Sequence, residues 1–466
     1  MKKKVVILLA AALCVTALGC VMTSCSDPAT DTDTTAVTTT PEPEPDPIAK
    51  FTGTDVTTYF DEPVSVKDLF ASIEELSIPI KTEGIVISAQ ATEGNGTATV
   101  NANTEDWTVG TVSFDSAGKY ELTITDGEFC IPTVAVVTAI DPIEEVTLTN
   151  IEGVTVESLS ADIKSNRRLK VLNTGDLVLT HEQYTELRKV DPDVKILSKV
   201  TFENIELDLS QSEVDISKNK IKDKEAFDAL LSIVPRGIKF VMCDCGYKNE
   251  EMAALREKHT ELEFAWRIYM GRWNLRTDDE AFSVMIYTYD YKRMTSADIE
   301  VLKYCTNMKA LDLGHQAITD LSVLENLTEL RVLILADNRI SDVTPIAKLT
   351  KLEYLELFVN QIDDITPLAS LTNLLDLNLG WNWYLDDVSA IYGLKQIERL
   401  WLPTTKFTSN RRLQAEVNEQ FPNATIVYYN EETSIGNGWR THPRYKPMRG
   451  MFLGEKKYDP NFATYK

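Results

Sequence analysis

The chain has 466 residues, 43% apolar and 25% charged, with a formal net charge of −24. That length exceeds the size at which a single core stops growing, so two or three domains are expected. A surface this acidic repels phosphates and anionic headgroups, which excludes nucleic acid as a partner class.

The N-terminus, MKKK, is followed by an uncharged run from Val5 to Ser24 and then by Cys25-Ser-Asp. A basic segment, an apolar segment and small residues before a cysteine have the layout of a cleaved export signal. An uncleaved anchor is the alternative, since some twenty apolar-leaning residues span a bilayer. Ala17–Cys20 (ALGC) and Met22–Cys25 (MTSC) both resemble the lipobox of bacterial lipoproteins, in which the cysteine is lipidated and becomes residue one. Cys25 is the favoured position, because the chain turns polar directly after it; Cys20 is the alternative. Residues 1–24 are thus expected to be a lipoprotein signal peptide. The mature chain is expected outside the cytoplasm, lipid-anchored at the cell membrane or outer surface.

Ser26–Pro47 contains seven Thr, five Pro and six acidic residues with no basic one. Such a segment cannot bury enough surface to fold, so 25–47 is expected to be a disordered linker giving reach from the lipid.

Residues 48–145 alternate apolar and polar and carry turn signals, as in IVISAQATE and WTVGTVSFDSAGKYELTITDG. About seven short strands of this kind predict a β-sandwich. Asp115-Ser-Ala-Gly-Lys-Tyr120 resembles the D-x-A-G-x-Y turn of immunoglobulin-like domains. The resemblance implies that Tyr120 ties its hydroxyl back to the corner.

From about residue 300, L-x-L pairs recur at Leu311/Leu313, Leu333/Leu335, Leu355/Leu357, Leu377/Leu379 and Leu400/Leu402, at spacings of 22, 22, 22 and 23. Asn338, Asn360 and Asn382 hold one fixed offset. This is the period of a leucine-rich repeat, in which each unit gives a short strand and neighbours stack because none closes a core alone. The I-x-D-[VI]-[TS]-P-[IL]-x-x-L half, as in Ile340–Leu349 and Ile362–Leu371, resembles the internalin-type bacterial repeat. The resemblance implies 3₁₀ turns on the convex side and a concave sheet that binds proteins. The fold class expected is therefore multidomain: an immunoglobulin-like β-sandwich, then an α/β leucine-rich-repeat solenoid with a short-strand parallel sheet. Regular repeats are placed at 301–405 and a cap and tail at 406–466. Leu169–Gly175, Ile238–Gly246 and Met308–Gly314 look like one strand written three times, so 150–300 is read as irregular repeat-like α/β units. These segments and Gly438–Tyr445 (GWRTHPRY) also resemble leucine-rich-repeat lipoproteins of gut-type anaerobes.

No catalytic residue, metal site or cofactor is expected. Nucleophile-elbow, phosphate-loop, dinucleotide and zinc-protease motifs are all missing from the sequence. Cys243 and Cys245 lie on one strand face, but no second pair or nearby histidines complete four ligands. They are read as buried thiols in leucine slots, and Cys305 as a buried thiol on the apolar side of a helix. Of the four histidines, His181 and His259 are placed on solvated helices.

By the two-residue strand period, the variable slots form outward columns. The first is Ala310, Val332, Tyr354, Asp376 and Arg399; the second is Asp312, Ile334, Glu356, Asn378 and Trp401; the third is Gly314, Ala336, Phe358, Gly380 and Pro403. The ligand-binding candidates are Tyr354, Glu356, Phe358, Asp376, Asn378, Trp381, Arg399 and Trp401. Clustered aromatics favour a binding surface, with a protein partner first and carbohydrate as the alternative; a structural envelope role is a further reading. If that surface is open, alanine at Tyr354, Phe358, Trp381 and Trp401 leaves the melting temperature nearly unchanged. The competing reading is that the tail Asn430–Lys466, with seven Lys or Arg against four acidic residues, folds back and covers it.

Overall fold

The computed structural model describes residues 47–73, 80, 84–102, 106–127, 130–284, 292–429, 438–454 and 456–466. The signal peptide, Cys20, Cys25 and nearly all of the acidic linker lie outside the described residues. The chain divides into two compact units, Met1–Gly175 with Glu186–Ile196 and Asp176–Thr185 with Leu197–Lys466.

In the first unit, strands Val56–Tyr59, Thr133–Ile140, Gly118–Thr125 and Val86–Glu93 form one four-stranded sheet, and Val64–Ser65, Thr111–Phe114 and Ala98–Asn101 form a three-stranded one. Tyr120, Leu122 and Val137 of the larger sheet share a core with Val112 of the smaller one and with Phe51, Leu69 and Trp107 from segments outside these two sheets. The alternation read from the sequence is visible in Thr133–Ile140, where Ala135, Val137 and Ala139 are buried and their neighbours are not. Tyr120 is buried, and its hydroxyl donates to the Ser116 carbonyl at 2.8 Å across the turn. Cys130 packs partly buried against the same core. The end strand Val56–Tyr59 pairs parallel with Thr133–Ile140.

The second unit contains a three-stranded parallel sheet of Glu213–Asp215, Lys239–Val241 and Glu263–Ala265. Helices Lys224–Leu231 and Asn249–Lys258 connect its strands. Cys243 and Cys245 are buried just past the middle strand; the Cys245 thiol donates to the Ile216 carbonyl at 3.1 Å, and burial pushes its pKa up to about 12. Cys305 is also fully buried, with its thiol pushed up to about 12. His259 departs from the solvated placement expected for it. It ends helix Asn249–Lys258, is buried, and meets Asp228 Oδ1 at 2.7 Å through Nε2.

A seven-stranded parallel ladder follows, with rungs Ala281–Ser283, Ala310–Asp312, Val332–Ile334, Tyr354–Glu356, Asp376–Asn378, Arg399–Trp401 and Thr425–Val427. Leu311, Leu333, Leu355, Leu377 and Leu400 are successive partners along it. The ladder therefore reaches beyond the 301–405 boundaries at both ends. Its leucines are fully buried on the inner side.

The asparagine column explains why the stack tolerates irregular backbone inside. Asn360 Nδ2 donates to the carbonyls of Leu335 and Leu357, both at 3.0 Å, while its Oδ1 accepts from the Ile340 amide at 3.0 Å. Asn338 and Asn382 repeat the pattern one turn either side. Buried backbone groups left unpaired cost about 1–3 kcal/mol each, so one amide stabilises two adjacent units. In the units of Ala310–Asp312 and Arg399–Trp401 the slot is held by Gln316 and Thr405, which bond the Gly314 and Leu402 carbonyls.

Between the strands, 3₁₀ turns run Ser322–Asn326, Thr344–Lys348, Thr366–Ser370 and Ser389–Ile391. Asp320, Asp342, Asp364 and Asp387 each accept from the amide two residues on, at 2.7–2.9 Å. These short polar side chains occupy the orphan donors that open a helical turn. After each of the five middle strands the chain turns through a left-handed residue: His315, Asp337, Val359, Trp381 and Thr404 all have φ between 52° and 62°. For β-branched Val359 and Thr404 this conformation is costly, and the hydrogen-bonded ladder holds it in place.

Candidate functional site

The structure brings the eight candidate residues together on one sheet face, because each sits at an outward strand position or in the turn directly after it. Tyr354, Glu356, Phe358, Asp376, Asn378, Arg399 and Trp401 are nevertheless buried, and Trp381 is half-buried. They differ from the open surface their pattern suggests. The chain's own tail, residues 438–454 and 456–466, lies over them and contributes Trp439, Met448, Met451, Phe452 and Phe462 to a shared core. The expectation of an unchanged melting temperature for the alanine quartet falls with that geometry, since truncating buried aromatics costs about 3–5 kcal/mol each.

Trp439 is the centre of the contact. Its ring lies 5.3 Å from Tyr354 and 5.0 Å from Trp401, centroid to centroid. The Arg399 guanidinium stands 4.4 Å from the Trp439 centroid and donates to the Trp439 carbonyl at 3.0 Å. Trp439 Nε1 donates to Glu356 Oε2 at 2.9 Å, and Tyr354 donates to the same oxygen at 3.0 Å.

Five residues on, Arg444 is buried completely. Its Nη1 donates to both oxygens of Asp376, at 3.0 and 3.2 Å, and its Nη2 pairs with Glu398. Asp376 also accepts from Arg399 Nε at 2.6 Å. One carboxylate thus serves two guanidiniums, a geometry that is stable only while every partner remains. At the far end, the tail reaches the first rung: the amides of Glu280 and Ala281 both donate to the Lys456 carbonyl at 3.0 Å. Tyr458 donates to Glu353 at 2.7 Å. The tail therefore crosses the face from Arg399 to Ala281.

The fit is incomplete in polar terms. Among the described residues, the buried side-chain atoms without a hydrogen-bond partner include Glu356 Oε1, Asn378 Nδ2, Trp381 Nε1, Arg399 Nη2, Trp401 Nε1 and Arg444 Nε, all at this contact. Native interiors leave few such groups, so their concentration here marks a polar surface that the tail only partly uses. Burial holds the Glu356 and Asp312 carboxyls above their usual range, opposed chiefly by the Arg440 charge for Glu356 and by the Gly314 amide for Asp312.

The sequence pattern pointed to the sheet residues and to tail aromatics. It missed Arg444, Glu398 and Glu353, which no repeat singles out. At the corner, Trp381 stands 5.9 Å from Trp383 with rings at 89°. Trp383 and Tyr384 are 61% and 67% exposed; this unit is one residue longer than its predecessors, and the extra length falls here.

The sequence model of the family described as Leucine Rich repeats (2 copies) matches residues 328–370. Comparison with curated proteins finds no match. Among solved structures, an internalin of Listeria monocytogenes is 18% identical, with 59% of this chain and 76% of that one covered at a TM-score of 0.29. Internalin C2 of the same organism is 26% identical over 33% of this chain and 76% of its own, at 0.24. A leucine-rich-repeat protein of Leptospira interrogans is 16% identical over 63% and 77%, at 0.29. The family match falls on the middle rungs of the ladder, and the chain carries a leucine-rich-repeat domain.

Proposed function

We propose that the chain is a lipid-anchored cell-surface protein that recognises a protein partner through the concave face of its leucine-rich-repeat domain. In this reading Cys25 carries the lipid, the acidic linker gives reach, and residues 48–145 are an immunoglobulin-like spacer. The observation that carries the reading is that the concave face already grips polypeptide. Trp439 fills an aromatic box and Arg444 a carboxylate socket, five residues apart on one segment. Aromatic and arginine anchors in desolvated pockets are the residues on which protein interfaces depend most. The tail is then the occupant that a partner displaces.

The test uses a chain lacking residues 438–466 as bait and a synthetic 438–466 peptide as competitor. A partner held at the concave face is captured more strongly by the shortened chain than by the full one, and the peptide blocks that capture. Capture indifferent to the peptide places the partner elsewhere and overturns the site. Carbohydrate is the second reading, favoured by exposed Trp383 and Tyr384, whose faces suit sugar rings. A glycan array separates the two, because a protein binder gives no signal on it.

A further inference from the structure

Between the tail and the first repeats the concave face does not close. A cavity of about 190 Å³ remains there. Its floor is low because Gly314 and Ala336 occupy the column that holds Phe358 in the next unit. Two carboxylates from the sheet, Asp312 and Glu356, the His315 imidazole at the sheet corner, and two guanidiniums from the tail, Arg440 and Arg449, line it.

These charged groups are not equivalent. Asp312 is satisfied on both oxygens, by the Gly314 amide at 2.9 Å and the Ser283 hydroxyl at 2.7 Å. Glu356 spends Oε2 on Trp439 and Tyr354, while Oε1 has no partner among the described residues, although the residue is only 2% exposed. A buried carboxylate oxygen beside a cavity is costly unless a donor fills that space. The Arg440 charge acts on both carboxyls, lowering the pKa of each against burial.

We propose that this cavity binds a small zwitterion of the α-amino-acid class, its ammonium on Glu356 and Asp312 and its carboxylate on Arg440 and Arg449. The lining carries both signs of charge, so a lone amine meets the guanidiniums and a lone anion meets the carboxylates, whereas a zwitterion answers both halves. A metal ion fits less well: among the described residues no three acidic, histidine or cysteine side chains gather around one point. Size narrows the class further. Cavities of about 150 Å³ hold benzene and drug-sized pockets begin near 300 Å³, so this space takes an amino acid with a short side chain. Ala336, Ile334 and Phe452 offer that side chain apolar contact. Because sheet and tail each supply half of the site, the ligand bridges them. The inference needs only the tail-closed geometry and is independent of which partner the domain recognises.

The experiment is isothermal titration calorimetry of the full chain in detergent with L-alanine, L-serine and L-valine, with methylamine and acetate as the separated halves. A saturable one-to-one heat from at least one amino acid is expected, with each half at least about tenfold weaker. Glu356→Gln, which keeps an acceptor for Trp439 while removing the charge, is expected to lose about tenfold or more. Ala336→Leu, which fills the floor, is expected to abolish binding. Binding to a chain lacking residues 438–466 is expected to be lost as well. No saturable heat from any of the three amino acids with the native chain overturns the proposal without recourse to a variant. So does native-like binding by both Glu356→Gln and Ala336→Leu.

Discussion

Asn360 joins three backbone groups from two units through one amide. Replacing it by alanine strands the Leu335 and Leu357 carbonyls and the Ile340 amide in a dry interior. At about 1–3 kcal/mol for each unsatisfied group, Asn360→Ala is expected to lower stability by about 3–5 kcal/mol in urea unfolding; a loss below 1 kcal/mol contradicts the role assigned to the column. Asp376 is the other residue with several dependants. Asp376→Ala leaves the buried guanidiniums of Arg399 and Arg444 without their shared carboxylate, an imbalance worth about 3–5 kcal/mol. Adding Arg444→Met to it is expected to return part of that loss, since the second buried charge is then gone. The two sites differ in how far they could be read beforehand. Asn360 recurs with a fixed offset and so announced itself. Gln316 and Thr405 fill the same slot with other chemistry, and only the hydrogen bonds reveal the equivalence. Arg444 belongs to no repeat, and its partner Asp376 lies 68 positions away.

Among the elements, the strands were legible because their cause is local, leucines two apart; the 3₁₀ turns were expected only from the resemblance to internalin-type repeats, and in the structure an aspartate accepts from the amide two residues on at their start. The tail was legible only as a possibility. Its aromatics and basic residues showed an affinity for an acidic, aromatic face, but its contacts run as far as from Lys456 to Asp279 and no periodicity encodes them. Its docking carries an electrostatic signature. The carboxyls of Glu356 and Asp312 are held above their ordinary values by burial, so their contribution to stability is complete below the ordinary carboxylate range and is lost as pH rises through the raised values. Glu356 faces Tyr354 and Trp439 and feels the charges of Arg440 and Asp312. Glu356→Gln removes one titrating group, so the stability of this variant relative to the native chain is expected to improve as pH rises above the ordinary carboxylate range. A difference that is flat or reversed over that range contradicts the burial assigned to this carboxyl.

For the whole molecule, the repeat domain is a stack in which each unit is stabilised by its neighbours, and stacking leaves one long lined face. The sequence registered that face correctly, residue by residue, yet could not decide whether solvent or chain lies above it, because strand periodicity reports direction and not cover. Lipid attachment makes a prediction of its own. Labelling cells with an alkyne fatty acid is expected to tag the native chain and Cys20→Ser but not Cys25→Ser; tagging of Cys25→Ser with loss in Cys20→Ser moves the anchor to the earlier cysteine. The most direct test of the central claim, that the concave face is a groove for polypeptide filled here by the chain's own tail, is to add the synthetic 438–466 peptide to a chain lacking those residues and follow tryptophan fluorescence. Saturable binding that returns the emission to that of the full chain is predicted. A shortened chain whose spectrum already matches the full one, and which the peptide leaves unchanged, contradicts it.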